Sequence, residues 1–270
     1  SKNSNAKIVL RAHNIESDIW KGLAKQTNNL LKKCYLNLLQ KKLSNYEKAI
    51  ALKMDGIICI SVLDENWMKK QSAKNIITIP FAIDTKNYEI VSTEKNTIFH
   101  IGSMDWRANI DGVNWFLNKV FPLINQQKKE VILHLAGRGM PDYFNDLSGE
   151  NIMIDGEVEN AKAFMKKYNL MIVPLWIGSG IRIKILEAMA LGKTIISTTI
   201  GASGINYQNK KDILIADTAE QFTNQIFWCF NNPLESKKIG ENAKLNIQEN
   251  YSSETIGLNL SAFLNKIQNS

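Results

Sequence analysis

Nine short runs of β-branched and aliphatic residues, most of them separated by helical patterns, constrain the fold of this chain more than any other feature. Several runs are apolar without alternation, which is typical of strands covered on both faces. Strands that alternate with helices predict parallel sheets with right-handed crossovers, hence an α/β fold. The runs are KIVLRA at 7–12, GIICIS at 56–61, NIITIP at 75–80, TIFHIG at 97–102, VILHLAG at 131–137, NIMIDG at 151–156, LMIVPL at 170–175, TIISTT at 194–199 and DILIAD at 212–217.

The polar stretch from Asp84 to Asn96 predicts a linker between two α/β units. We therefore divide the chain into a first unit at 1–92, a second unit at 93–252 and a last amphipathic helix at 253–270, with Ser253 as its predicted cap. Six runs in the second unit suffice for a complete doubly wound domain, whereas three in the first are few for an independent one. About a hundred further residues upstream would complete that first domain, judged from ordinary domain sizes.

Composition excludes several classes of protein. With 270 residues and 44% hydrophobic side chains, the chain is long enough for substantial cores. It contains no apolar run long enough to span a membrane, and its start does not resemble a signal peptide, so we expect a cytoplasmic protein. The three cysteines lie far apart and no Asp-x-Asp pair occurs, so neither a disulfide framework nor a metal site is expected.

The net charge of +7 is concentrated in one segment. Residues 18–53 hold eight lysines against two acids, and Trp, Leu, Tyr and Ile recur there at helical spacing. Two interpretations stay open: a basic helix that lies on an anionic membrane surface, and a solvated lysine face over an ordinary core stripe. Nucleic acid is not an expected partner, because no recognition motif is present.

The segment WIGSGIRIKILEAMALGK at 176–193 is the strongest candidate for a binding site. It follows a predicted strand, so its loop lies at the carboxyl end of a parallel sheet, where open α/β sheets bind ligands. We predict a helix over 181–191 whose first amides, from Gly180 through Ile181 to Arg182, face an anion. Gly178 and Gly180 would let that anion approach the backbone closely.

This predicted helix is apolar over most of its surface, so Lys184 and Glu187 must face a cleft or lose their hydration. One reading is an ion pair between Lys184 and Glu187, with Arg182 in solvent. The other has Arg182 and Lys184 counter a diphosphate while Glu187 accepts hydrogen bonds from a diol such as ribose. His100 and His134 are interpreted as hydrogen-bonded strand histidines.

Four segments together resemble one family, the retaining GT-B glycosyltransferases of family 4. They are RAHNIESDIW at 11–20, IGSMDWRANIDGVNWFL at 101–117, LHLAGRG at 133–139 and PLWIGSGIRIKILEAMALGKTIISTTIGASGI at 174–205. The resemblance implies a GT-B-like fold, with a doubly wound Rossmann-like C-terminal domain and a partial Rossmann-like N-terminal domain. It further implies a UDP- or GDP-sugar donor held mainly by the second domain, no metal, no cofactor, and a last helix that crosses back to the first domain.

The same resemblance assigns roles by position. Glu187 corresponds to the ribose-binding glutamate, and Arg182 and Lys184 lie where the diphosphate is contacted. His13 corresponds to a histidine at the active-site edge of the first domain and is a candidate catalytic residue. Ser179 stands where the family often has a second glutamate, and Ser103 replaces an arginine. The other donor-binding candidates are Gly102, Arg138, Val158, Gly178, Gly180 and Ile181.

The expected function is metal-independent transfer of a hexose, with retention, to a cell-envelope glycan or lipid-linked acceptor. If the basic segment binds lipid, the protein would lie at the inner membrane face. Two alternatives are an inactive fragment or non-catalytic nucleotide-sugar binder, and an epimerase on the same fold.

Overall fold

The computed structural model describes residues 6–71, 73–85, 96–127, 130–178 and 180–269. Its strands are β1 (Val9–Ala12), β2 (Gly56–Cys59), β3 (Ile76–Thr78), β4 (Thr97–Ile101), β5 (Ile132–Ala136), β6 (Ile152–Gly156), β7 (Leu170–Val173), β8 (Thr194–Ser197) and β9 (Leu214–Ile215). They form one sheet of order β1-β2-β3 and another of order β6-β5-β4-β7-β8-β9. All pairings between these strands are parallel, which confirms the predicted α/β class.

Helices follow most of the strands. They are α1 (Glu16–Gln26), α2 (Leu30–Ala51), α3 (Val62–Lys70), α4 (Arg107–Trp115), α5 (Phe121–Gln126), α6 (Ala161–Lys166), α7 (Ile183–Ala190), α8 (Ala219–Asn231), α9 (Pro233–Asn250) and α10 (Ser253–Gln268). A π-helical turn at Phe116–Val120 joins α4 to α5, and a 3-10 helix covers Asp142–Leu147.

Both faces of the second sheet are covered by helices. Successive residues of β4 point to opposite faces, so Phe99 packs in the cluster that contains Ile185 of α7. Ile98 packs instead with Phe116 and with Phe222 of α8. This double covering explains why β4, β7 and β8 are buried at all their residues and read as continuous apolar runs.

The basic segment at 18–53 is not one helix, as the sequence pattern indicated, but the two helices α1 and α2. The break falls at Thr27–Asn29, where Thr27 has extended backbone angles and Asn29 caps α2. The Asn29 Oδ1 accepts a hydrogen bond of 3.1 Å from the amide of Lys32. Side-chain capping of this kind satisfies an amide that has no partner within the helix.

The last helix, α10, packs against the first sheet. Its residues Ile256, Phe263 and Ile267 form a cluster with Ile58 of β2 and other residues of that sheet. The structure corrects its predicted cap by one residue. Ser252, not Ser253, is the N-cap, because its Oγ accepts a hydrogen bond from the Thr255 amide.

Residues 86–95 of the predicted linker, and with them the boundary between 92 and 93, lie outside the described residues. Just before them, the Ile83 amide donates a 2.7 Å hydrogen bond to the carbonyl oxygen of Tyr251. Among the helices that the structure describes, none combines the length and apolarity that crossing a bilayer requires.

Candidate active site

The candidate site lies where four loops meet at the carboxyl edge of the second sheet. These loops follow β6, β5, β4 and β7, which are neighbours in that order. The Gly137 amide donates to the carbonyl oxygen of Gly156, and the Gly102 amide donates to that of Ala136. A Cβ on Gly137 would lie only 1.7 Å from the Gly102 carbonyl oxygen. Only a glycine at position 137 therefore allows the loop after β5 to approach the loop after β4 this closely.

The loop after β7 is braced by Arg182. Its Nη1 donates a 2.7 Å hydrogen bond to the Gly180 carbonyl oxygen, and Nη2 donates one of 3.4 Å to that of Ile200. A Cβ on Gly178 would lie 2.1 Å from Nη2, so the guanidinium packs directly against the loop backbone. Burial lowers the pKa of Arg182 to about 10. Ser179 lies outside the described residues, so its predicted role is still a prediction.

Helix α7 starts two residues later than predicted. Gly180 has a φ of +72°, and Arg182 is an extended N-cap, so residues 180–182 belong to the loop. The first helical amides are those of Ile183 and Lys184, since the Ile185 amide bonds back to the Arg182 carbonyl oxygen. The Ile181 side chain is buried in the core, which leaves only its backbone for ligand contact.

Lys184 reaches from α7 to the end of β4 and the start of α4. Its Nζ donates a 3.1 Å hydrogen bond to Asn109 Oδ1 and lies 3.5 Å from His100 Nε2. A Cβ on Gly102 would lie 2.8 Å from the same Nζ. Burial, and after it the charge of Arg182, lower the pKa of Lys184 to about 7. Arg182 and Lys184 are thus close enough for the charge of one to affect the protonation of the other.

The alternative ion pair between Lys184 and Glu187 does not form. Among the described residues, no carboxylate lies within ion-pair distance of Lys184. Glu187 is half-buried one turn further along α7. Burial raises the pKa of its carboxyl, and the charge of Lys162 opposes that shift. A carboxylate so placed can accept hydrogen bonds from the hydroxyls of a ligand.

The remaining predicted residues lie around this centre. Arg138, in the loop after β5, is exposed and pairs with Asp105 at 3.1 Å. Val158, after β6, is half-buried against the core. His13 is exposed with its ring edge-on to Phe81, and its carbonyl oxygen faces Gly180 from the first unit. The end of β1 and the loop that follows β7 therefore lie close together at His13 and Gly180.

The sequence prediction missed Asn109 and the second contact of His100. His100 is a hydrogen-bonded strand histidine as interpreted, with Nδ1 3.0 Å from the Ile172 carbonyl oxygen. His134 also agrees, since its Nδ1 lies 2.8 Å from Asp155. Asn109 could have been found as a polar residue within the buried stripe of α4, which otherwise contains Ala108, Gly112 and Val113.

A cavity of about 390 Å³ opens between the two units beside the loop after β7. Its walls come from α1, the start of α3 and the loops after β7 and β8. It is lined by Asp18, Ile19, Gly22, Lys25, Leu63, Asp64, Trp176, Ile177, Gly178, Gly180, Ile200 and Ser203. In the part of the chain that the structure describes, no group of three His, Cys, Asp or Glu residues could hold a metal ion.

Two parallel sheets with this loop arrangement form the GT-B fold, as in the solved structures of TarM and of a sucrose-phosphate synthase, with TM-scores of 0.77 and 0.75. The chain belongs to the family described as glycosyl transferases group 1, whose model matches residues 95–232, more than half of the sequence. The matched region contains β4 through α8, and thus Lys184, Glu187 and Asn109.

The chain is also similar to individual proteins. An "Uncharacterized 44.6 kDa protein in cps region" of Klebsiella pneumoniae is 26% identical over 260 residues, which are 92% of this chain and 66% of that protein. A mutant of S. aureus TarM, in complex with Fondaparinux, alpha-GlcNAc-glycerol and UDP, is 18% identical with a TM-score of 0.74. That match covers 98% of this chain and 52% of TarM.

Anabaena Alr3699/HepE in complex with UDP and glucose is 14% identical with a TM-score of 0.72, over 97% of this chain and 72% of that one. At such identities the two solved structures establish similarity of fold. The present chain spans just under two thirds of the Klebsiella protein and about half of TarM.

Proposed function

We propose that this chain carries the donor-binding half of a glycosyltransferase that moves a hexose from a UDP- or GDP-sugar to a cell-envelope glycan or lipid-linked acceptor. The transfer proceeds with retention and without a metal, as in the family that the sequence resembles. Catalysis rests on stabilising the diphosphate charge that develops as the sugar leaves.

One observation carries this proposal: the Lys184 ammonium lies beside Gly102 with no carboxylate partner among the described residues. An uncompensated cation at the carboxyl edge of a parallel sheet favours an anionic ligand. Glu187, one turn further along the same helix, supplies the acceptor for a ribose diol. TarM and HepE, which share the fold, are solved with UDP.

The cavity between the two units is the proposed entrance for the acceptor. It shares Gly178 and Gly180 with the loop that borders the donor site. Asp18 and Lys25 line it together with Trp176, so hydrogen-bonding side chains beside an aromatic ring are available to a hydroxyl-rich sugar. The Asp64 carboxyl is buried and accepts a hydrogen bond from the Ser61 hydroxyl. His13, whose backbone carbonyl oxygen lies close to Gly180, is the candidate catalytic residue of the first unit.

The outward face of α2 supports a place at an anionic membrane surface. Leu31, Tyr35 and Leu38 are more than half exposed there. The acid of α2, Glu47, is turned inward, where its Oε1 accepts a hydrogen bond from the Ser17 amide. The outward face therefore combines apolar and lysine side chains without an acid, the pattern of helices that lie at lipid interfaces.

Calorimetry with UDP-glucose and GDP-mannose tests the donor assignment, because binding to the second unit does not need an acceptor. We expect one of the two to bind, and Lys184→Met to weaken that binding about 100-fold through loss of a buried charge-assisted contact. Lys244→Met on α9 is the matched control and should leave affinity unchanged. Absence of binding by the wild-type chain to either donor would contradict the proposal.

Turnover separates the enzymatic classes. Release of nucleoside diphosphate that depends on an added glycan acceptor supports transfer, whereas release without an acceptor favours an epimerase or hydrolase. Binding without any release identifies a non-catalytic binder and would contradict the proposed activity while leaving the donor site in place.

A further inference from the structure

The amide of Asn109 has a fixed orientation. Its Nδ2 donates a 2.8 Å hydrogen bond to the carbonyl oxygen of Ser103, which can only accept. The other end, Oδ1, must therefore face Lys184, whose Nζ lies 3.1 Å away. Asn109 is 4% exposed, so water cannot easily replace either partner.

The ring of His100 is fixed in the same way. Nδ1 lies 3.0 Å from the carbonyl oxygen of Ile172 and must carry the hydrogen, because a carbonyl oxygen cannot donate. In the neutral ring Nε2 is then an acceptor, and it faces Nζ of Lys184 at 3.5 Å. Burial and the charge of Lys184 lower the pKa of His100 well below its ordinary value, so the ring stays neutral.

We infer that Asn109 and His100 form a neutral cradle that positions the Lys184 amine and, when the amine is protonated, leaves its charge uncompensated for the diphosphate. A carboxylate in either place would also hold the ammonium, but the pair would present no net charge to a ligand. An ammonium has three N–H donors, so two bonds to the cradle leave one for a phosphate oxygen. Asn109 and His100 are positioning residues, since both act through Lys184.

This inference rests on the proposed donor site, and a double-mutant cycle tests it. The single variants are Asn109→Ala, His100→Asn and Lys184→Met, and the first two are also combined with Lys184→Met. His100→Asn keeps a donor near the Nδ1 position and removes the Nε2 acceptor. Affinity is measured for the donor that the wild-type chain binds, UDP-glucose or GDP-mannose, and for the corresponding nucleoside, uridine or guanosine, by competition.

We expect Asn109→Ala to weaken donor binding about tenfold and His100→Asn several-fold when Lys184 is present. Both losses should shrink to twofold or less in the Lys184→Met background, because the group that they position is gone. Nucleoside affinity should stay constant throughout. Asn114→Ala, on the same helix with its Nδ2 bonded to the Tyr143 hydroxyl, is the matched control and should change neither affinity.

Three results would overturn the cradle. Equal losses in the two backgrounds would show that Asn109 and His100 act independently of Lys184. A parallel loss of nucleoside affinity would show a general structural role. If Asn109→Ala and His100→Asn both kept the wild-type donor affinity while Lys184→Met still weakened it, the ammonium would need no positioning. If the wild-type chain binds neither donor, the proposed function fails first, and the cradle with it.

Discussion

Arg182 Nη1 donates a 2.7 Å hydrogen bond to the carbonyl oxygen of Gly180, two residues earlier in the chain. A second nitrogen, Nη2, donates to the carbonyl oxygen of Ile200 from the loop after β8. One planar guanidinium therefore ties together two loops at the edge of the sheet. The residue predicted to counter a diphosphate also holds the loop that would bind it.

Arg182→Lys separates these two roles. A lysine ammonium cannot reproduce the fork, so one buried carbonyl oxygen loses its donor and we expect a loss of about 2 kcal/mol in unfolding free energy. Chemical denaturation measures it. Arg107→Lys, an exposed residue paired with Asp111, is the control and should change stability by less than about 0.5 kcal/mol. Unchanged stability in Arg182→Lys, with weaker donor binding, would instead assign this arginine to the phosphate alone.

Gly102→Ala should weaken donor binding more than it weakens the fold. The new Cβ would lie 2.8 Å from Lys184 Nζ and 2.9 Å from Asn109 Nδ2. Lys184 Nζ is the far end of a flexible side chain and can move aside, whereas the buried Asn109 amide must shift together with its hydrogen-bond partners, so stability should fall by about 1 kcal/mol. Displacement of the ammonium should weaken donor affinity about tenfold or more. Gly149→Ala, where a Cβ meets nothing within 4 Å, should change neither quantity in the same calorimetric and unfolding experiments.

The sequence predicted the sheets better than the site, for physical reasons. Continuous apolar runs identified β4, β7 and β8 because strands covered on both faces need no alternation. The sequence placed the start of α7 too early because Ile181 and Arg182 are residue types that helices accept. The turn with positive φ at Gly180 keeps these two residues in the loop. The contact between His100 and Lys184 joins residues 84 positions apart. Such a contact depends on how α7 packs on β4, which local patterns do not specify.

Donor affinity should fall as pH rises from about 6.5 to about 8.5. Burial and the charge of Arg182 lower the pKa of Lys184 to about 7, so its side chain is charged below that pH and neutral above it. Above the pKa, donor affinity should decrease by up to about tenfold per pH unit. His100 stays neutral and Arg182, with a pKa of about 10, stays charged across this range. The probe is the donor that the wild-type chain binds, UDP-glucose or GDP-mannose, because the diphosphate of either one does not titrate there. Lys184→Met should flatten the profile, and an equally steep profile in that variant would assign the titration to another group.

Glu187→Gln should reduce discrimination between ribose and deoxyribose. The half-buried Glu187 carboxylate can accept hydrogen bonds from both ribose hydroxyls. A 2′-deoxy ligand lacks one of these hydroxyls, and the lost hydrogen bond should cost about 1.5 kcal/mol of binding free energy. The wild-type chain should therefore bind the diphosphate of its donor nucleoside, UDP or GDP, about tenfold more tightly than the 2′-deoxy form, and Glu187→Gln only about twofold. Glu157→Gln, an exposed residue after β6, is the control. Equal discrimination in wild type and Glu187→Gln would place the ribose elsewhere.

Substitutions on the outward face of α2 should release the chain from anionic vesicles. Leu31 is 85% and Tyr35 63% exposed, and transfer of such side chains into the interface contributes on the order of 1 kcal/mol each. Leu31→Ser combined with Tyr35→Ser should therefore weaken sedimentation with phosphatidylglycerol-containing vesicles at least tenfold. Leu258→Ser on α10, 69% exposed in the wild type, is the control. Salt should weaken wild-type binding because the lysines are exposed. Equal sedimentation with pure phosphatidylcholine would show that binding does not need anionic lipid. No loss of sedimentation in the double variant would show that this face of α2 does not contact the membrane.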